Sequence, residues 1–229
     1  MASESSSPRF FVLQKGPLWS RYDADVEKAE PVNRGSGARC PRCGGVIGMK
    51  RWLPPHRVEL VLQGEEFGDF IEAPGDDLLV SERFANAFRE EGLTGLEGFH
   101  PVEVLRVGRK RRGPKPSYVP PYLAVTACFG RGAVDLTRSR FRVVAPPTCE
   151  ECHYTDVEAV HGYTLESGTW GGEDIFRPRG FSGRVLVSER FERFVARYGF
   201  TNLRLTPTEE YVWDPLAPQP LSTTQEGSN

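Results

Sequence analysis

Apolar residues gather along the chain in short runs, at 10–14, 58–63, 78–80, 122–129, 141–144 and 185–187, each bounded by charge, glycine or proline, and each predicts a strand. Two of them, 78–80 and 185–187, lead straight into a serine, Ser81 and Ser188, whose hydroxyl is suited to cap a helix by accepting a free backbone N–H. Eleven residues beyond each serine stands a glycine, Gly92 and Gly199, placed to end the helix in the left-handed conformation that glycine tolerates without steric penalty. Each helix is then about three turns long. In the first, Phe84 and Phe88 share a face, and Leu93 is placed to touch Phe88 across the cap. The second offers Phe191, Val195 and Phe200 at the equivalent places. These aromatic stripes read as core rather than as a ligand site, and Glu82, Arg83, Glu189 and Arg190 as solvated first-turn charges. A further extended run and a proline, Pro101 and Pro207, follow each helix.

The same order of features occurs twice. Val80-Ser81-Glu82-Arg83-Phe84 returns unchanged as Val187-Ser188-Glu189-Arg190-Phe191, an offset of 187 − 80 = 107. Two C-x-x-C pairs, Cys40/Cys43 and Cys149/Cys152, stand 149 − 40 = 109 apart, each upstream of its pentapeptide. An acidic-aromatic signature lies between these landmarks in both halves, at Asp69-Phe70 and at Asp174-Ile175-Phe176. Three ordered correspondences imply a duplicated unit. The expected fold is therefore α+β: two tandem copies of a mixed strand-helix module, joined at a zinc-ribbon-like four-cysteine site. The first module spans 10–107 and the second 122–216, with a basic Pro/Gly linker or loop at 108–121. The ends, 1–9 and 217–229, read as disordered tails.

With 229 residues, 38% of them hydrophobic, the chain can bury a core as one large domain or as two small ones. Its 29 Lys+Arg nearly balance 31 Asp+Glu, for a formal charge of −2, so no global field steers it to nucleic acid or an anionic membrane. No run approaches the roughly 18 uninterrupted apolar residues of a membrane span, and the Ser-rich start lacks an apolar signal core, which predicts a cytoplasmic protein. Five cysteines, four of them in close pairs, suit metal thiolates in a reducing compartment better than a secreted disulfide framework. The fifth, Cys128, lies in the 122–129 run and reads as a small buried hydrophobe.

Cys40-Pro41-Arg42-Cys43-Gly44-Gly45 has the form of a zinc knuckle: two thiolates two residues apart chelate one ion, and the glycines permit a tight turn. A redox pair needs a helix start to depress its thiol pKa, and Gly44-Gly45 is a poor first turn of a helix. In the second pair Glu150 and Glu151 stand between the cysteines and oppose thiolate formation unless a cation compensates. A structural zinc takes four ligands, and each half has one pair. The halves must therefore meet at one structural Zn2+ held by Cys40, Cys43, Cys149 and Cys152. The alternatives are two pairs of unmetallated thiols, and disulfide or redox use. His56 and His153 are substitute ligands, with a surface histidine the plainer role for each.

The chain has no Walker A loop, no G-x-G-x-x-G after a strand, no G-x-S-x-G elbow and no H-E-x-x-H helix, and its four histidines are scattered, so no catalytic residue is assigned. Asp69 and Asp174, at matching places in a repeat, point to a shared structural role such as capping a turn. A four-thiolate zinc keeps no open position for water, which argues for structure over chemistry. Arg109, Lys110, Arg111 and Arg112, beside Lys115 and near Tyr118 and Tyr122, form the one run that can grip phosphates or a partner, although a solvated linker is the plainer reading.

In these residues the chain resembles the double C-x-x-C-G motif proteins, a paralogous family of myxobacteria. The likeness rests on Cys40-Pro41-Arg42-Cys43-Gly44, on the distant Cys149-Glu150-Glu151-Cys152, and on Gly183-Arg184-Val185-Leu186-Val187-Ser188-Glu189-Arg190-Phe191 preceded by Asp174-Ile175-Phe176. It covers most of the chain between the tails, and departs from the motif where His153 follows the second pair in place of glycine. The resemblance implies an immunity protein, or antitoxin, of the kind that protects against lipoprotein toxins passed between neighbouring cells by outer-membrane exchange, a form of kin discrimination. Such a protein binds a cognate toxin domain in the cytoplasm and blocks it, and is not an enzyme. The competing expectation is a zinc-stabilised nucleic-acid-binding or regulatory module.

Overall fold

The structure is a computed structural model that describes residues 8–75, 77–111 and 116–217. Of the tails expected at 1–9 and 217–229, all but residues 8, 9 and 217 lie outside the described residues, as do 112–115 of the expected linker. The chain begins with β1 (Phe10–Lys15), β2 (Ala24–Ala29), β3 (Asn33–Arg39), β4 (Val46–Leu53), β5 (Arg57–Leu62), β6 (Phe70–Glu72) and β7 (Asp77–Ser81), which runs into helix α1 (Glu82–Glu90). Next come β8 (Leu96–Pro101), β9 (Glu103–Arg109), β10 (Tyr122–Ala133), β11 (Phe141–Val143) and β12 (Val157–His161). β13 (Ile175–Arg179) and β14 (Val185–Ser188) lead to α2 (Glu189–Tyr198), and β15 (Leu203–Pro207) and β16 (Val212–Trp213) follow.

Both helices start and stop where their caps dictate. The Ser81 hydroxyl accepts from the Phe84 N–H at 3.1 Å, and that of Ser188 from the Phe191 N–H at 3.2 Å. Gly92 and Gly199 take up φ of 61° and 60°. The Leu93 N–H then reaches the Phe88 carbonyl at 3.1 Å and closes the first cap.

Eight strands form one sheet, in the order β15-β1-β14-β13-β10-β7-β6, with β8 paired to β10 as well. Within it two four-stranded groups repeat one pattern: β10 lies between β7 and β8, and β1 lies between β14 and β15. The registers correspond, since Tyr122 stands opposite Ser81 where Phe10 stands opposite Ser188. Each of these central strands comes from the other half of the chain, so the halves exchange a strand reciprocally. Beyond the exchange, β10 continues in parallel alongside β13, with Cys128 opposite Phe176, and joins the two groups.

Strand occupies 45% of the structure and helix 11%. The fold is thus mostly β, and the expected α+β pair of tandem modules is corrected on both counts: among the described residues α-helix is confined to two short segments, and the copies do not stand side by side. The physical reason is that polar, turn-rich stretches such as β2 and β3 become strands through pairing that composition does not announce, while the partner of a strand is selected by long-range contact rather than by order along the chain.

All positions of β7 and β14 are buried, because the large sheet is covered on both faces. On one face Phe84, Phe88, Phe191 and Phe194 of the helices pack over Val80, Val125 and Val187. The other face lies under two small sheets: β2-β5-β9, through Leu60 and Leu62, covers Leu79 and Ala124, and β11-β12-β16, through Val160, covers Val12 and Leu186. β3 and β4 pair only with each other, as a hairpin set apart from these layers. Among the described residues no helix is long and apolar enough to cross a membrane.

Candidate metal centre

Cys40 and Cys43 occupy the turn of the β3-β4 hairpin. The Cys40 N–H donates to the Gly45 carbonyl and the Gly44 N–H to the Cys40 carbonyl, both at 2.9 Å, which winds the turn tightly. Cys149 and Cys152 lie between β11 and β12 in a turn of the same form, with the His153 N–H donating to the Cys149 carbonyl at 2.9 Å. The Gly180 N–H, just past β13, anchors this second turn at the Cys152 carbonyl, 3.1 Å away. Gly44 and His153 are equivalent, with φ of 71° and 53°. The departure from the motif at His153 therefore preserves the turn, with a side chain held in a region that costs about 1–2 kcal/mol for a non-glycine residue.

The two turns face each other. Cys40 Sγ lies 3.8 Å from Cys149 Sγ, and Cys43 Sγ lies 3.9 Å from Cys152 Sγ. All four sulfurs are within 4.8 Å of one another. Four sulfurs bound at about 2.3 Å to one tetrahedral ion stand about 3.8 Å apart, so the cluster has the dimensions of a four-thiolate metal site. The same contacts are far longer than an S–S bond of about 2.05 Å, and the cysteines are free. Cys40 and Cys152 are buried with Ile47 against Phe129, whereas Cys43 is exposed.

The turns treat negative charge on sulfur unequally. Backbone N–H groups of Cys152 and Glu151 hold the Cys149 thiol down at about 6, while burial pushes Cys152 up to about 12. At Cys43 the Gly45 N–H lowers the pKa, but contact with Cys40 and desolvation leave it raised. Full thiolate charge on all four requires a cation among them. The two acids between the second pair are neutralised from outside: Arg42 donates to Glu150 at 2.7 Å, and Arg179 lies 2.9 Å from Glu151. The Arg42 bridge also spans the two turns, although its exposure makes it worth little to stability.

The histidines stand elsewhere. His56 is buried in the core, stacked on His100 with ring centroids 5.1 Å apart and its Nε2 3.2 Å from the Trp52 carbonyl. His153 Nδ1 is 3.6 Å from Glu166 and outside the sulfur cluster. Cys128 is half-buried on β10, where desolvation pushes its thiol up to about 11.

Asp69 and Asp174 are both buried and organise the pseudo-symmetric core. Asp69 accepts from the Ser81 hydroxyl at 2.7 Å, from Arg83 at 2.6 Å and from the Thr201 N–H at 3.0 Å. Asp174 accepts from the Ser188 hydroxyl, from Arg190 and from the Thr94 N–H, each at 3.0 Å. Arg83 and Arg190 are thus not merely solvated charges. Each also donates to a carbonyl at the C-terminal end of the opposite helix, Arg83 to Tyr198 at 3.0 Å and Arg190 to Gly92, just past α1, at 3.3 Å, where a cation suits the helix dipole. Motifs do not single out Thr94 and Thr201, yet they too stand 201 − 94 = 107 apart, each two residues after its matched glycine.

The basic run is partly engaged. Arg109 donates to the Gly64 carbonyl at 2.9 Å, Arg111 lies 4.4 Å over the Trp19 ring, Lys110 is exposed, and Arg112 falls outside the described residues. No protein-family model matches the chain, and no curated protein matches it either.

Proposed function

We propose that the chain is a non-enzymatic immunity protein, fastened by one structural zinc, that binds a toxin domain in the cytoplasm and neutralises it. The observation that carries this reading is the convergence of the two C-x-x-C turns on one four-sulfur cluster, because those turns are the residues on which the likeness to the double C-x-x-C-G proteins rests. Cys40, Cys43, Cys149 and Cys152 hold the ion, which supplies four metal–sulfur bonds and no open position for substrate. A duplicated scaffold with a saturated metal suits a protein that acts by binding. The zinc-stabilised nucleic-acid reading draws on the basic run alone, and there Arg109 and Arg111 are turned to partners within the chain.

The test is coexpression with the toxin encoded beside this gene. Cells that carry both are expected to survive, and purified protein to contain about one zinc per chain. Cells as sensitive with the protein as without it overturn the immunity reading, whereas metal-free protein of native stability overturns the zinc.

A further inference from the structure

Three segments that the metal centre does not use meet at one end of the β2-β5-β9 sheet: residues 16–23 after β1, residues 63–66 after β5, and residues 109–111 where β9 runs out. Backbone bonds lock them together. Gln63 and Gly64 donate to the Asp23 carbonyl, Glu65 and Glu66 to the Arg21 carbonyl, and Lys110 to the Leu62 carbonyl. From this base stand Leu18, 69% exposed, and Trp19, 52% exposed.

Trp19 has a φ of 62°, where a bulky side chain is strained. It is held there by Asp23, whose carboxylate accepts the Trp19 N–H at 2.6 Å and is itself buried against Lys15, 2.6 Å away. A buried ion pair thus maintains a strained turn whose effect is to hold an indole out in water. Exposing that surface adds nothing to stability, and strain imposed by surrounding structure is a feature of binding sites.

Charge completes the patch. The Arg111 guanidinium lies 4.4 Å over the indole, and Lys110 is exposed beside it. Neither has a carboxylate partner among the described residues, while of the neighbouring acids Glu66 pairs with Arg21 at 2.7 Å and Glu65 lies 4.0 Å from the same guanidinium. Trp and Arg are the side chains that most often dominate protein interfaces. Arg111 covers a face of the indole, the surface a stacked base needs, so the patch suits a protein better than single-stranded nucleic acid.

Building on the immunity reading, we infer that Leu18, Trp19 and Arg111 form the docking knob for the toxin domain, which meets it with an apolar pocket rimmed by carboxylates. The test is titration calorimetry of the full chain against the toxin domain encoded by the neighbouring gene, at low and at high salt. Trp19→Ala and Arg111→Glu each weaken binding at least about tenfold, and salt weakens the unaltered complex. Arg193→Glu, on α2 across the central sheet, leaves affinity within about twofold. Trp19→Gly removes the indole but relieves the left-handed backbone, so binding falls as in Trp19→Ala while Tm stays level or rises, which separates lost docking from lost folding.

Variants at Trp19 and Arg111 that bind the toxin as tightly as the unaltered chain overturn the knob and leave the immunity reading intact. If the unaltered chain binds no toxin, the immunity reading falls, and the knob is judged on two labelled probes: a peptide of alternating Glu and Leu, and an oligothymidylate of equal length. Salt-sensitive binding of the peptide that is lost in Arg111→Glu supports a protein partner. Binding of the oligonucleotide alone, or of neither, overturns it.

Discussion

Asp69 and Asp174 each gather donors from three places: the serine that opens their own helix, the arginine two residues on, and the threonine beyond the other helix. Asp174→Ala leaves the buried Ser188 hydroxyl and the Thr94 N–H without their acceptor, while the half-exposed Arg190 keeps its carbonyl partners at the end of α1, so the loss comes chiefly from the serine and threonine donors. We expect about 2–4 kcal/mol by urea denaturation, against about 1–2 kcal/mol for Ser188→Ala, which removes the cap and one donor to Asp174 but leaves the carboxylate its arginine and threonine partners. At His153 the strain runs the other way. His153→Gly relieves about 1–2 kcal/mol of left-handed strain and gives back about 0.5–1 kcal/mol to the freer unfolded chain, so the zinc-loaded protein gains roughly 0.5 kcal/mol. Gly44→Ala imposes that strain on the first turn; its added Cβ meets nothing within 4 Å, so any loss of stability measured there is conformational.

On the zinc proposal, the element that would depend on the metal is the β3-β4 hairpin. Its strands pair only with each other, and it meets the rest chiefly through Ile47 in the cysteine cluster and Trp52 in the core beneath β5. An ion held by the four cysteines would therefore fasten a poorly covered hairpin and the 149–152 turn rather than the central sheet. Chelation is expected to raise hydrogen exchange at 33–53 and 144–156 while β10, β14 and both helices keep their protection. Global loss of protection on chelation would show that the metal holds the whole fold.

Taken whole, the molecule is joined three ways besides the cysteine cluster. Strands are exchanged between halves, two buried carboxylates bind donors from both, and Phe84 lies against Phe191, Phe194 and Phe200 with ring centroids 4.8–6.1 Å apart. Neither half carries the strand that separates β7 from β8, or β14 from β15, in its own four-stranded group. A chain divided just after Arg111 is thus expected to give fragments that stay unfolded alone and combine one to one when mixed, as read by circular dichroism and gel filtration. A fragment that folds by itself would refute the exchange.

The helices, their caps, the repeated order of features and the four cysteines of the cluster were legible in the sequence because each depends on local residue identity: a serine and a glycine eleven apart, an identical pentapeptide, two C-x-x-C turns. Buried strands such as β7 and β14 could be read as well, since a sheet covered on both faces demands unbroken apolar runs. Which strands pair was decided only in three dimensions. β1 and β10 are equally apolar wherever they lie, and their exchange follows from long-range registry that no short window encodes. β2 and β3, polar and held by their neighbours, carry no strand pattern of their own. The meeting of Trp19 with Arg111 likewise required the parallel pairing of β5 with β9, which brings residues distant along the chain to one end of a sheet.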